Sequence, residues 1–167
     1  AKDALASQVV DLIIKTIGEE YYNKKFTDEP DKRFEKAVAA LNTQLAKLHE
    51  SHHGKQLAGL SAVIGVINQE SLYLTQCGKA HAKLYRKNSV IDLASGLNEG
   101  SNAAKTFHGI AEGTLKEKDK LFFATPAVMF EFETKALDRL IQDNSPATCV
   151  QKMNSQLHED ENAARCA

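Results

Sequence analysis

Residues 59–88 read GLSAVIGVINQESLYLTQCGKAHAKLYRKN, and this stretch, with its continuation to Phe132, decides the fold. Residues 57–67 are rich in Val, Ile and small side chains, and Asn68-Gln69-Glu70 is a polar turn. Leu72, Leu74 and Gln76 then alternate with Tyr73, Thr75 and Cys77, the period-two pattern of a strand. Residues 80–85 repeat the pattern, Lys87-Asn88-Ser89 turns the chain, and residues 90–93 form another short strand. Consecutive strands with such short links must be antiparallel, because a parallel pair needs a long crossover.

Outward from this meander the period changes. Upstream, Leu5, Val9, Leu12, Ile13 and Ile17 share one face of a helix over residues 4–22. A break at Asp28-Glu29-Pro30 follows, and then a second helix capped by Asp31. Its Phe34, Val38, Leu41, Leu45 and Leu48 form too short a seam for a coiled coil and suit a helix laid on a sheet, ended by Gly54. Downstream, residues 97–106 read as a Gly/Ser/Asn/Ala-rich loop, residues 107–115 as irregular chain and residues 116–120 as a solvated charged turn. Leu121-Phe122-Phe123-Ala124 reads as a buried strand. Helical pattern returns over residues 132–142, and Ser145-Pro146 caps and opens a last helix to about Leu157. Residues 163–166 could begin a final strand. Without a strand-helix alternation, a doubly wound sheet is excluded. The class is α+β, antiparallel sheets covered by helices, in one domain over residues 1–167.

Composition excludes several functions. A net charge of -1 gives no electrostatic case for nucleic acid or an anionic membrane. No apolar run is long enough to span a bilayer, and no charged-then-apolar leader is read at the N-terminus, so the expectation is a cytoplasmic protein. Cys77, Cys149 and Cys166 are scattered without a CxxC pair, which indicates neither zinc nor a disulfide framework; Cys77 reads as buried strand filler.

Three landmarks stand out: Gly59-Leu60-Ser61 opening a strand, Gly78-Lys79-Ala80-His81 between strands, and Thr125-Pro126-Ala127 after a strand. With Ala40-Leu41-Asn42 in the second helix and Leu84-Tyr85-Arg86 closing a strand, they follow a familiar order. In that order and spacing the chain resembles metal-dependent protein phosphatases of the PPM (type 2C-like) family over nearly its full length. The resemblance implies an α/β-β/α sandwich of two antiparallel sheets flanked by helices, with its first strands possibly missing. It also implies a two-metal reaction in which carboxylates hold manganese or magnesium and the metals activate a bridging water. The family supplies those carboxylates from a segment upstream, from an Asp-Gly and from an Asp-Asn. Here the Asp-Gly position is Pro126-Ala127, the acidic residue of the family's Gly-Asp-Ser-Arg turn is Lys79, and Asp-Asn is Glu161-Asn162 beside Asp160.

Pro126 and Ala127 carry no metal-binding side chain, and Lys79 reverses a charge. The resemblance therefore implies a catalytically inactive, pseudophosphatase domain that binds a protein partner, with no catalytic residue, no metal ligand and no cofactor. The alternative is a divergent Mn- or Mg-dependent Ser/Thr phosphatase whose essential carboxylates lie outside this chain, with Glu161 as the remaining ligand. A remote alternative is zinc hydrolysis at His49-Glu50-His53, which fits H-E-x-x-H but sits in the last turn before Gly54 with no third ligand in view. His81 and His108 read as solvated or hydrogen-bonded, and residues 95–101 as a flexible loop rather than a phosphate cradle. Met129-Phe130-Glu131-Phe132 reads as core beneath the helix that follows, or else as an apolar docking patch.

Overall fold

The computed structural model describes residues 2–23, 29–50, 57, 59–99, 101–102 and 104–165, with only the backbone at 2–5 and 158–165. Among the described residues, helices α1 (Lys2–Tyr21) and α2 (Pro30–Leu48) come before the strands β1 (Ala62–Asn68), β2 (Ser71–Cys77), β3 (His81–Arg86), β4 (Ser89–Asp92), β5 (Ile110–Thr114) and β6 (Lys120–Ala124). Three helices close the chain: α3 (Pro126–Glu131), α4 (Thr134–Asp143) and α5 (Pro146–Arg165). The strands form two antiparallel sheets, ordered β1-β2-β5 and β4-β3-β6.

Side-chain parity stacks these elements into four layers. Tyr73 and Cys77 of β2 point to α1 and α2, where they meet Val9, Ile17, Phe34, Leu41 and Leu45. The alternate residues Leu72 and Leu74 point the other way, onto Ala82 and Leu121 of the second sheet. That sheet turns Tyr85 and Phe122 outward, against Leu137, Ile141 and Cys149 of α4 and α5. β2 is therefore buried on both faces from Leu72 to Cys77. Each large apolar side chain so buried contributes about 1.5–3 kcal/mol, which makes these three seams the main source of stability.

Polar contacts lock the layers in register. The Tyr85 hydroxyl donates to Asp138 Oδ1 at 2.6 Å, and Lys83 Nζ reaches the same oxygen at 2.9 Å, tying β3 to α4. Burial first, and then this bond, push the Tyr85 phenol well above its ordinary pKa. The two-residue loops after β1 and β3 each begin with a left-handed residue, Gln69 and Lys87.

Several expectations need correction. Residues 107–115 are not all irregular: 110–114 form β5, which sequence alternation could not reveal because only Ala111 turns a side chain into the inter-sheet core. The helix expected over 132–142 is found as α4, starting at Thr134 because Phe132 is extended and buried; the short helix α3 before it was not expected. Asp31 lies in the first turn of α2, not at its cap, which is Glu29. The final strand suggested at 163–166 gives way to α5 as far as Arg165, and Cys166 lies outside the described residues. Ser145 does cap α5, accepting from Thr148 N at 3.2 Å.

The charged stretch 116–120 is the largest correction. Asp119 has a side chain only 5% exposed and accepts from Arg86 Nε and Nη2, at 2.9 and 2.6 Å. Lys120 donates to the carbonyls of Ile141, Gln142 and Asn144 at 2.7–2.8 Å. It thereby satisfies orphan acceptors at the C-terminus of α4, where the helix dipole favours a cation. Met129-Phe130-Glu131-Phe132 divides: Phe132 joins the core, Met129 packs against it, and Phe130 is 87% exposed.

Candidate functional site

The registers bring the three sequence landmarks to one end of the sandwich. Ala62 pairs with Cys77 in the first sheet, so Ser61 and Gly78 are neighbours there. His81 pairs with Ala124 in the second sheet, which sets Lys79 and Ala80 on the same end as Thr125, Pro126 and Ala127.

The turn at Gly78 is tightly determined. Its φ is +63°, and a Cβ there would lie 2.1 Å from the Leu60 carbonyl oxygen. Only glycine allows this approach. Ser61 Oγ accepts from Lys79 N at 3.1 Å, which joins the chain before β1 to the turn after β2. Gln76, buried at 2% exposure, donates Nε2 to the carbonyls of Gly78 and Ala80 at 2.8 and 3.0 Å. Asn98 also donates to the Gly78 carbonyl, drawing the 93–99 loop over this end. The remaining amide oxygens, Gln76 Oε1 and Asn98 Oδ1, are buried without a protein partner. Sequence reasoning did not single out these two amides. The available signal was Gln76, a polar residue on the same inward face as Leu72 and Leu74.

The side chains at this end are small, neutral or cationic. Lys79 is exposed and His81 half-buried. Pro126 opens α3 at its first position, with Thr125 before it in extended conformation and making no side-chain cap bond. Cys77, beneath the turn, is a free buried thiol whose pKa burial pushes up to about 11, so it is protonated core rather than a nucleophile.

No family model and no curated protein matches the sequence. Solved structures do match. The catalytic domain of the serine/threonine protein phosphatase PstP, in complex with two manganese ions, superposes with a TM-score of 0.64 at 11% identity, over 90% of this chain and 74% of that one. The fold is that of the PPM-type serine/threonine phosphatases. PppA, a regulatory component of the type VI secretion system in Pseudomonas aeruginosa, matches this phosphatase fold at TM-score 0.61 and 12% identity, over 89% of this chain and 71% of that one. The phosphatase domain of the cell-fate determinant SpoIIE from Bacillus subtilis matches at 0.52 and 14%, over 91% and 64%.

The described residues of the landmark end do not fit the metal pair that the resemblance implies. Hard divalent cations need several oxygen ligands, carboxylates foremost. The landmark end offers a serine hydroxyl, a lysine, a histidine, a proline and an alanine, and no group of three His, Cys, Asp or Glu is placed to hold a metal among the described residues. Asp160 and Glu161 lie on α5, and their side chains fall outside the described residues. The zinc pattern lies partly outside the described residues. α-Helical geometry ends at Leu48, His49 stands at the C-cap, and His53 lies outside the described residues.

Proposed function

We propose that this phosphatase-fold domain is catalytically inactive and acts as a cytoplasmic binding or regulatory module for a protein partner. The observation that carries the proposal is the landmark end itself: Lys79 and Pro126-Ala127 stand where the resemblance calls for carboxylates. An ammonium there repels a divalent cation, and proline and alanine side chains donate nothing to one. The described helices include none long and apolar enough to cross a membrane, which is compatible with the cytoplasmic reading.

The test is hydrolysis of p-nitrophenyl phosphate by the purified protein, with and without millimolar manganese. A flat result from a folded sample is expected. Manganese-dependent turnover would mean a metal site supplied by other residues, and the divergent-phosphatase reading would replace this one.

A further inference from the structure

We propose that the opposite end of the sandwich carries a binding cleft for an acidic peptide segment. The proposal names a partner chemistry for the binding role above and rests on that role, but not on the loss of hydrolysis. The cleft has a volume of about 580 Å³ and lies where the β3–β4 and β5–β6 turns meet. Arg86 is five residues along β3 from His81, a rise of about 17 Å from the landmark end.

Five cations line the cleft: Arg86, Lys87, Lys116, Lys118 and Lys120. Two carboxylates, Glu117 and Asp119, oppose them, leaving three positive charges in excess on a chain whose net charge is -1. The internal pairing sharpens this. Asp119 is committed to Arg86, and Lys120 to the end of α4. The Lys87, Lys116 and Lys118 ammoniums take no side-chain hydrogen bond or close ion pair among the described residues, although Lys116 donates its backbone N–H to Asp119 at 2.7 Å and its charge acts on that carboxylate. Lys87 and Lys118 also occupy left-handed backbone, at φ 53° and 70°. The Arg86–Asp119 pair, with Arg86 Nη2 also on the Thr114 carbonyl at 2.8 Å, fixes the floor. Three unpaired ammoniums thus surround a rigid base.

Such a cleft attracts clustered negative charge. Ile91 at its edge is 41% exposed and offers apolar contact to a peptide side chain. Exposed aromatic rings for base stacking are not among its lining residues, whereas nucleic-acid grooves rely on them. A peptide therefore fits better than a nucleic acid. Its charge comes from Asp and Glu side chains, because the cleft's one guanidinium, the group best shaped to grip a phosphate, is already committed to Asp119.

The test is fluorescence anisotropy with two short labelled peptides, one Asp/Glu-rich and one carrying phosphoserine, at low and high salt. Saturable, salt-sensitive binding of the Asp/Glu-rich peptide is expected, and tighter binding of the phosphoserine peptide would overturn that choice of occupant. The variant K87E/K116E/K118E should bind roughly tenfold or more weakly, since three rim charges act together. A control, K15E/K47E/K135E, makes the same charge change elsewhere and should bind as the unmodified protein does. Thermal unfolding of both variants checks that each is folded. No saturable binding of either peptide, equal weakening in the control, or tighter binding of a single-stranded oligonucleotide would each overturn the proposal. Manganese-dependent hydrolysis would sink the inactive reading and leave this binding result standing.

Discussion

Asn42 forms a two-way pair with the backbone of Phe107: its Nδ2 donates to the Phe107 carbonyl at 2.8 Å, and its Oδ1 accepts from the Phe107 N–H at 2.9 Å. The two residues are 65 positions apart and both buried. One side-chain amide thus supplies the partners that a neighbouring strand would otherwise give, and it pins the loop before β5 to α2. Replacing Asn42 with Leu leaves a buried donor and a buried acceptor unpaired, at about 1–3 kcal/mol each. Denaturant unfolding of Asn42→Leu should therefore show a loss of roughly 2–5 kcal/mol. A loss under about 1 kcal/mol would mean that water or a shifted loop replaces the pair.

Gly78 and Gly96 separate backbone strain from steric collision. Both have positive φ, +63° and +78°, but a Cβ at Gly78 meets the Leu60 carbonyl oxygen while one at Gly96 meets nothing within 4 Å. Gly96→Ala should cost about 1–2 kcal/mol for the left-handed backbone alone. Gly78→Ala adds overpacking and should cost roughly 2–5 kcal/mol. Equal effects in thermal or denaturant unfolding would show that the Leu60 carbonyl moves aside freely.

Lys120 closes α4 through three carbonyls, those of Ile141, Gln142 and Asn144. Lys120→Met keeps the aliphatic stem and removes the donors, and should lower stability by roughly 2–3 kcal/mol. Arginine should recover little, because its flat fork cannot aim at three carbonyls around one point. Full rescue in Lys120→Arg would show that charge alone matters there.

Asp119 should shape the acid limb of stability. The Arg86 hydrogen bond is the largest influence that holds its carboxyl below the ordinary value of 3.8. A depressed folded pKa gives stability that is fully present above the ordinary value and is lost as pH falls through the lower folded one. Unfolding midpoints from about pH 2 to 6 should fall less steeply at the acid end for Asp119→Asn, which is also less stable near neutrality. Parallel curves would mean that the pair does not drive acid unfolding.

The double variant P126D/A127G should hydrolyse p-nitrophenyl phosphate with manganese no faster than the unmodified protein. It restores one acidic position at the landmark end, while Lys79 stays cationic beside it and one carboxylate cannot hold a metal pair. Turnover above the unmodified protein would show that the remaining ligands are already in place.

The sequence by itself determined what depends on near neighbours. The apolar faces of α1 and α2, the alternation of β2 and β3, the polar two-residue loops between strands and the Ser145 cap are all local, and each is found in the structure. The order of landmarks was enough to indicate the phosphatase fold. Only the tertiary structure decided what depends on distant partners. β5 exists because β2 pairs with it, not because its own residues alternate. Asp119 and Lys120 read as solvated charge until Arg86 and the end of α4 come to meet them, from 33 positions upstream and from residues 141–144 downstream. The physical reason is the same in each case. A hydrogen bond or ion pair is fixed by where its partner lies in space, and the local pattern of a sequence carries no record of that position.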